Sequence, residues 1–127
     1  MKDSVLREKS FAFALRVIKL YQYLGSEHRE YVLSKQILRA DTSIGANIDE
    51  SVRAQSRTDF VHKLSIAQKE ACETNYWIRL LRDSELIKEK LAASLLAACE
   101  EIQKLLTASI KTAKNNIREE KMTASVE

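Results

Sequence analysis

The residue types that could do chemistry are few in this chain, and their spacing defeats the usual sites. A di-iron centre in a helical bundle needs two Glu-x-x-His pairs and two further inward glutamates. The only histidines are His28 and His62, and neither stands three residues after a glutamate. Cys72 and Cys99 form no C-x-x-C and have no histidine cluster nearby, so a zinc site is not expected, and each reads as core filler in a reducing compartment. There is no Gly-x-Ser-x-Gly elbow, and two glycines, Gly25 and Gly45, cannot build a phosphate-binding loop. Paired carboxylates occur as Asp49–Glu50, Glu100–Glu101 and Glu119–Glu120. Adjacent helical side chains point about 100° apart, so these pairs read as solvated surface. The expectation is a protein that is not an enzyme and carries no catalytic residue, metal or cofactor. Catalysis would require a site shared between subunits.

One polar stretch stands out, "SIGANIDE", Ser43 to Glu50. With Ile37 at the centre of the buried face, Leu33, Ala40, Ile44 and Ile48 join it, while Gln36, Ser43, Asn47 and Glu50 follow one another along its flank. On the next helix Glu70 stands beside the apolar seam. Ser43, Asn47, Glu50 and Glu70 are therefore expected to form a structural polar latch between the two helices, with Asn47 donating to Glu70. Gly45 and Ala46 carry so little bulk that another helix can approach there.

The elements that position these residues follow from composition. Among 127 residues there is no proline, 45% are apolar and 31% charged, with many strong helix formers. Helices are predicted over about 10–24, 29–54, 57–83 and 88–118, in a single domain spanning 1–118, followed by a flexible tail, 119–127. Ser10 is the expected cap of the first helix, with an earlier turn over "DSVLREK" as the alternative start, Gly25 its left-handed end, and Ser56 with Asp59 the cap of the third. Phe60, Leu64, Ala67, Ala71, Thr74, Ile78 and Leu81 step by four and three, and Leu91, Leu95, Ala98, Ile102, Leu106, Ile110, Ala113 and Ile117 repeat the pattern on the last helix. Seams of this period and short connections predict an all-α fold, a left-handed, antiparallel up-down-up-down four-helix bundle.

The first helix carries two apolar stripes: Phe11, Ala14, Ile18 and Tyr21, and Phe13, Val17, Leu20 and Leu24. Together they are wider than one core requires. Either this helix lies deep between its neighbours, or the second stripe meets another subunit. With Tyr76, Trp77 and Leu80 lying off the third helix's seam, the favoured expectation is a subunit interface formed by the second stripe and these three residues. No run approaches the roughly 20 apolar residues of a membrane span, and the N-terminus lacks the apolar stretch of a signal peptide, so the expected location is cytoplasmic, with no membrane partner. By segment, the first 24 residues carry five basic and two acidic groups, and the rest of the chain is nearly balanced, for a total of +3.

The stretches "QILRADTSIGANIDES", "SRTDFVHKLSIAQKEACETNYWIRLL" and "KSFAFALRVIKLYQYL", in order over residues 9 to 110, resemble the bacterial four-helix bundle family of 23S rRNA intervening-sequence proteins. The chain departs from that pattern at Asp49–Glu50–Ser51, where many relatives read Ala-Glu-Gly, and at Asp41, where relatives often have a small residue. The resemblance implies a left-handed bundle assembled into a homopentameric barrel. It also implies kinship with the accessory variability determinants of diversity-generating retroelements, which bind nucleic acid and a reverse transcriptase through a basic surface. The expected function is a non-enzymatic, pentameric protein that binds RNA or DNA, with Arg7, Lys9, Arg16, Lys19, Lys35, Arg39, Arg53 and Arg57 as contacts. The alternative is an interaction adaptor or scaffold that engages a partner protein without touching nucleic acid.

Overall fold

A computed structural model describes residues 2–126. It contains four helices, α1 Lys2–His28, α2 Leu33–Ser51, α3 Arg57–Asp83 and α4 Glu89–Val126, and no strand among the described residues. Each helix packs on its sequence neighbour, α4 closes on α1, and the diagonal pairs stay apart.

Four heptad-spaced seams build the interior. On α1 the buried positions are Leu6, Ser10, Phe13, Val17, Leu20 and Leu24. On α2 they are Ser34, Ile37, Asp41, Ile44, Ile48 and Ser51, with Ala40 beside them. The α3 seam is Leu64, Ala67, Ala71, Thr74, Ile78 and Leu81. On α4 the seam runs through Ala92, Leu95, Cys99, Ile102, Leu106, Ser109 and Ala113, so Leu91 lies off it and is 38% exposed. Alternating steps of three and four keep each row facing its neighbours. No helix among the described residues is long and apolar enough to cross a membrane.

Cross-helix pairs fix the order of contact. Arg39 on α2 reaches Glu70 and Glu73 on α3, while Glu50, eleven residues later, meets Lys63, earlier on α3. Likewise Arg57 meets Glu120 and Gln68 meets Thr107, and Lys9 meets Glu101 while Arg16 meets Ser94.

The structure corrects the expected first helix. Its start is near Lys2, and Ser10 is no cap: it is 4% exposed within the seam, and its hydroxyl donates to the Arg7 carbonyl at 3.1 Å. The helix also continues through Gly25, and Arg29, at φ 51°, takes the left-handed position instead. Gly25 serves another purpose: a Cβ there would lie 2.9 Å from the Tyr31 ring, whose hydroxyl donates to the Gly25 carbonyl. Glu30 then holds the start of α2, accepting from the backbone N–H groups of Val32, Leu33 and Ser34. Three orphan donors of a helix terminus are satisfied by one carboxylate. Glu30→Ala is expected to cost about 1–2 kcal/mol of unfolding free energy by urea titration, and no loss would remove this capping role.

Further along, Ser56 caps α3 by accepting from Asp59 N–H at 3.0 Å. A Schellman turn ends it: Glu85 has φ 63°, Glu85 N–H donates to Arg82 and Leu86 N–H to Leu81. The expected C-terminal tail, 119–127, is helical as far as Val126, the last described residue. Good helix formers continue past Arg118, and the Arg57–Glu120 ion pair at 2.8 Å ties this stretch to the start of α3.

Candidate functional site

Three features beyond the packed seams could carry a function: the apolar surface of α1, the polar contacts of α2, and one buried carboxylate.

Phe13, Val17, Leu20 and Leu24 are at most 5% exposed within the single chain, so they are core and not a subunit interface. The reason is continuity. Leu6 and Ser10 extend that row into a six-position seam, and only this row faces α2 and α4 together. The other stripe is the uncovered one: Phe11 is 68%, Leu15 50% and Ile18 37% exposed. Of the remaining expected interface residues, Tyr76 is 48% exposed, Trp77 and Leu80 are half-buried, and Tyr76 stacks edge-on against Trp77.

Beside Phe11 a groove of about 620 Å³ opens between α1 and α2, floored by Gly45 and Ala46 and rimmed by Arg7 and Asp49. A Cβ on Gly45 would meet nothing within 4 Å. No helix of this chain occupies the room that Gly45 and Ala46 leave.

The expected latch does not form across helices. Asn47 donates to the Ser43 carbonyl at 2.8 Å and to the Ser43 hydroxyl at 3.2 Å, both within α2. Glu70 accepts from Arg39, and Glu50 pairs with Lys63 at 3.1 Å. Register explains this: with Arg39 opposite Glu70 and Glu73 and Glu50 opposite Lys63, Asn47 lies about a turn away from Glu70. What ties α2 to α3 is a charged cluster, in which Arg39 engages Glu70 and Glu73, and Trp77 Nε1–H donates to Glu73 at 3.1 Å. The Trp77 indole, burial working against it, and then Arg39 hold the Glu73 carboxyl below its usual range.

The expected nucleic-acid contacts are not gathered into one patch. Arg7 pairs with Asp49, Lys9 with Glu101, Arg39 with Glu70 and Glu73, and Arg57 with Glu120. Arg16 donates to the Ser94 hydroxyl at 2.7 Å and shares an α1/α4 groove with Lys19. Lys19, Lys35 and Arg53 are exposed and, among the described residues, make no ion pair, but Lys35 and Arg53 lie at opposite ends of α2. Four of the eight cations are already neutralised by the fold.

Asp41 is the residue that sequence reasoning passed over, noted only as larger than its position usually allows. It occupies a seam position on α2, is 1% exposed, and neither carboxyl oxygen has a hydrogen-bond partner. The buried hydroxyls of Ser10, Ser34, Ser51 and Thr74, by contrast, each donate to a carbonyl one turn earlier. Loss of solvent pushes the Asp41 carboxyl up to about 7. Burial, with the Asp41 charge second, pushes the Cys99 thiol up to about 12, so that thiol is inert, its Sγ–H directed at the Ala71 carbonyl. The heptad count on α2 was the available signal for Asp41. No group of three or more His, Cys, Asp or Glu among the described residues could hold a metal ion.

A family model described as 23S rRNA-intervening sequence protein matches residues 2–108. The chain is also similar to a protein of unknown function from the S23 ribosomal protein family of Bacteroides thetaiotaomicron VPI-5482, known from a crystal structure at 1.70 Å resolution. The two share 52% sequence identity and superpose with a TM-score of 0.86, covering 87% of this chain and 99% of the other. No curated protein matches.

Proposed function

The chain belongs to the 23S rRNA-intervening sequence protein family, and from that premise we propose that it is a non-enzymatic, cytoplasmic, self-associating bundle that binds RNA or DNA through phosphate contacts. The reversed order of the cross-helix pairs supports an up-down-up-down arrangement, and the heptad seams support a left-handed twist. The observation that carries the reading is the uncovered stripe Phe11, Leu15 and Ile18 beside the open floor at Gly45. Water is a poor neighbour for such a surface, and a second copy laying a helix into the groove would cover it. Assembly matters for the charge as well: five copies at +3 carry about +15, enough to draw in a polyanion that one chain holds weakly.

Two measurements test this. Light scattering is expected to show a pentamer that Gly45→Phe, by filling the groove, reduces towards monomer. Fluorescence anisotropy with a labelled oligonucleotide is expected to show log K falling linearly with log salt. A monomer at all concentrations, or affinity indifferent to salt, would contradict the reading.

The α1/α4 groove, lined by Leu20, Tyr23, Leu91 and Leu95 with Arg16 and Lys19 at its edge, favours a second reading, an adaptor for an acidic, apolar helix of another protein. A partner retained on affinity purification after nuclease treatment would support it.

A further inference from the structure

The nucleic-acid reading does not say where the strand lies, and the α1 and α2 cations, largely paired, are poor candidates. We propose that the phosphate backbone of a nucleic acid runs along the C-terminal half of α4, in the groove that α4 forms with the start of α3; the proposal rests on the nucleic-acid reading and locates its site.

Lys9 meets Glu101 and Arg16 meets Ser94, so the start of α1 falls level with about residue 108 of α4. Beyond that level α4 continues to Val126, with α3 beside it as far as Glu120, which pairs with Arg57 at the first position of α3. The family model also stops at residue 108. On the flank of α4 that faces α3, away from the flank where Ser94 and Glu101 meet α1, a groove of about 390 Å³ is lined by Gln68, Thr107, Lys111, Lys114, Asn115 and Arg118.

The chemistry of that lining is one-sided. Lys111, Lys114 and Arg118, with Lys121 one turn further, follow each other by three, four and three residues. On a helix they fall within an arc of about 80° and along about 15 Å of axis. All four are exposed, and none makes an ion pair among the described residues. Arg118 is oriented by donating to Asn115 Oδ1 at 2.8 Å, and the floor is an amide–hydroxyl pair, Gln68 Nε2–H donating to Thr107 at 2.7 Å. The two nearby carboxylates do not oppose this field. Glu119 and Glu120 project about 80° and 100° outside the arc, and Glu120 is neutralised by Arg57. No aromatic residue lines the groove, so recognition is by the backbone, with little sequence preference.

The test compares three proteins by fluorescence anisotropy with a labelled 20-nucleotide single-stranded RNA: the wild type, Lys111→Gln/Lys114→Gln/Arg118→Gln, and the equal-charge control Lys69→Gln/Lys88→Gln/Lys90→Gln. Each single-strand phosphate contact contributes about 0.7 to the salt slope, so losing three is expected to flatten the slope by about 2 and weaken binding about 100-fold at 0.1 M salt. The control is expected to stay within about fivefold of wild type, and Lys111→Arg/Lys114→Arg to retain binding. Circular dichroism checks that the exposed substitutions leave the helices intact. Equal losses in the two triple variants would overturn the site, because bulk charge would then suffice. Wild-type binding that the α4 triple variant keeps would overturn the site while leaving the nucleic-acid reading standing. Absence of wild-type binding at low salt would overturn both. Inorganic polyphosphate displacing the RNA at a lower phosphate concentration than unlabelled RNA does would show that the groove serves free polyphosphate, overturning the nucleic-acid assignment.

Discussion

Phe13→Ala is expected to lower unfolding free energy by about 3–5 kcal/mol, whereas Phe11→Ala, two residues away, changes the stability of the single chain by less than about 0.5 kcal/mol. Phe13 is the largest fully enclosed side chain, 2% exposed and surrounded by other seam residues, so its removal leaves a void as well as lost apolar burial. Phe11 is 68% exposed and has little burial to lose. The readings separate further with concentration. If the α1 stripe meets another copy, Phe11→Ala raises the concentration needed for assembly, and its stability deficit grows with protein concentration. Urea titrations at two concentrations well apart measure both effects. A large Phe11 loss at the lower concentration, or a small Phe13 loss at either, would mean that the faces of α1 are assigned the wrong way round.

The pair also shows what the sequence could and could not say. Four helices and the α3 seam are legible because their apolar residues recur at three and four without a competing row. On α1 two rows compete, and the deciding residues are Leu6 and Ser10. A serine before an apolar run looks like a cap, and accepting it as one hides the row that continues through it. In the structure Ser10 satisfies its hydroxyl on its own helix and sits in the core at little cost. Asn47 misled in the opposite way: its type suits a cross-helix bond, but a register difference of one turn leaves it bonded to Ser43. Spacing along one helix is local information, and the level at which two helices meet is not. The α4 cations were legible by the same rule that finds apolar seams. Summing charge over the chain after residue 24, where basic and acidic groups balance, erases a pattern that lies in their angular separation.

Asp41→Ala is expected to stabilise the protein by about 2–3 kcal/mol at pH 8 and to destabilise it by about 1 kcal/mol at pH 4, so that the usual cost of a core truncation is reversed only at high pH. In the unfolded chain Asp41 titrates near 3.8, and in the folded chain near 7. Below 3.8 it is protonated in both states, and the native fold has its full stability. Between 3.8 and 7 the unfolded chain releases a proton that the folded chain keeps, so stability declines as pH rises, and above 7 the loss is complete and constant. Raising the carboxyl from 3.8 to about 7 corresponds to about 4 kcal/mol as an upper bound. The small cavity left by alanine offsets about 1–2 kcal/mol of the gain. Cys99, the titratable group that Asp41 influences, stays neutral throughout this range because its thiol is pushed up to about 12. Asp41→Asn serves as the control, keeping the shape and losing the proton, and it should flatten the profile between pH 4 and 7 with less gain, since an unpartnered amide stays buried. Thermal or urea unfolding from pH 4 to 9 measures all three proteins, and a wild type with the same slope as Asp41→Ala would eliminate the ionisation argument. A carboxyl without a partner at a seam position makes the bundle loosen as pH rises.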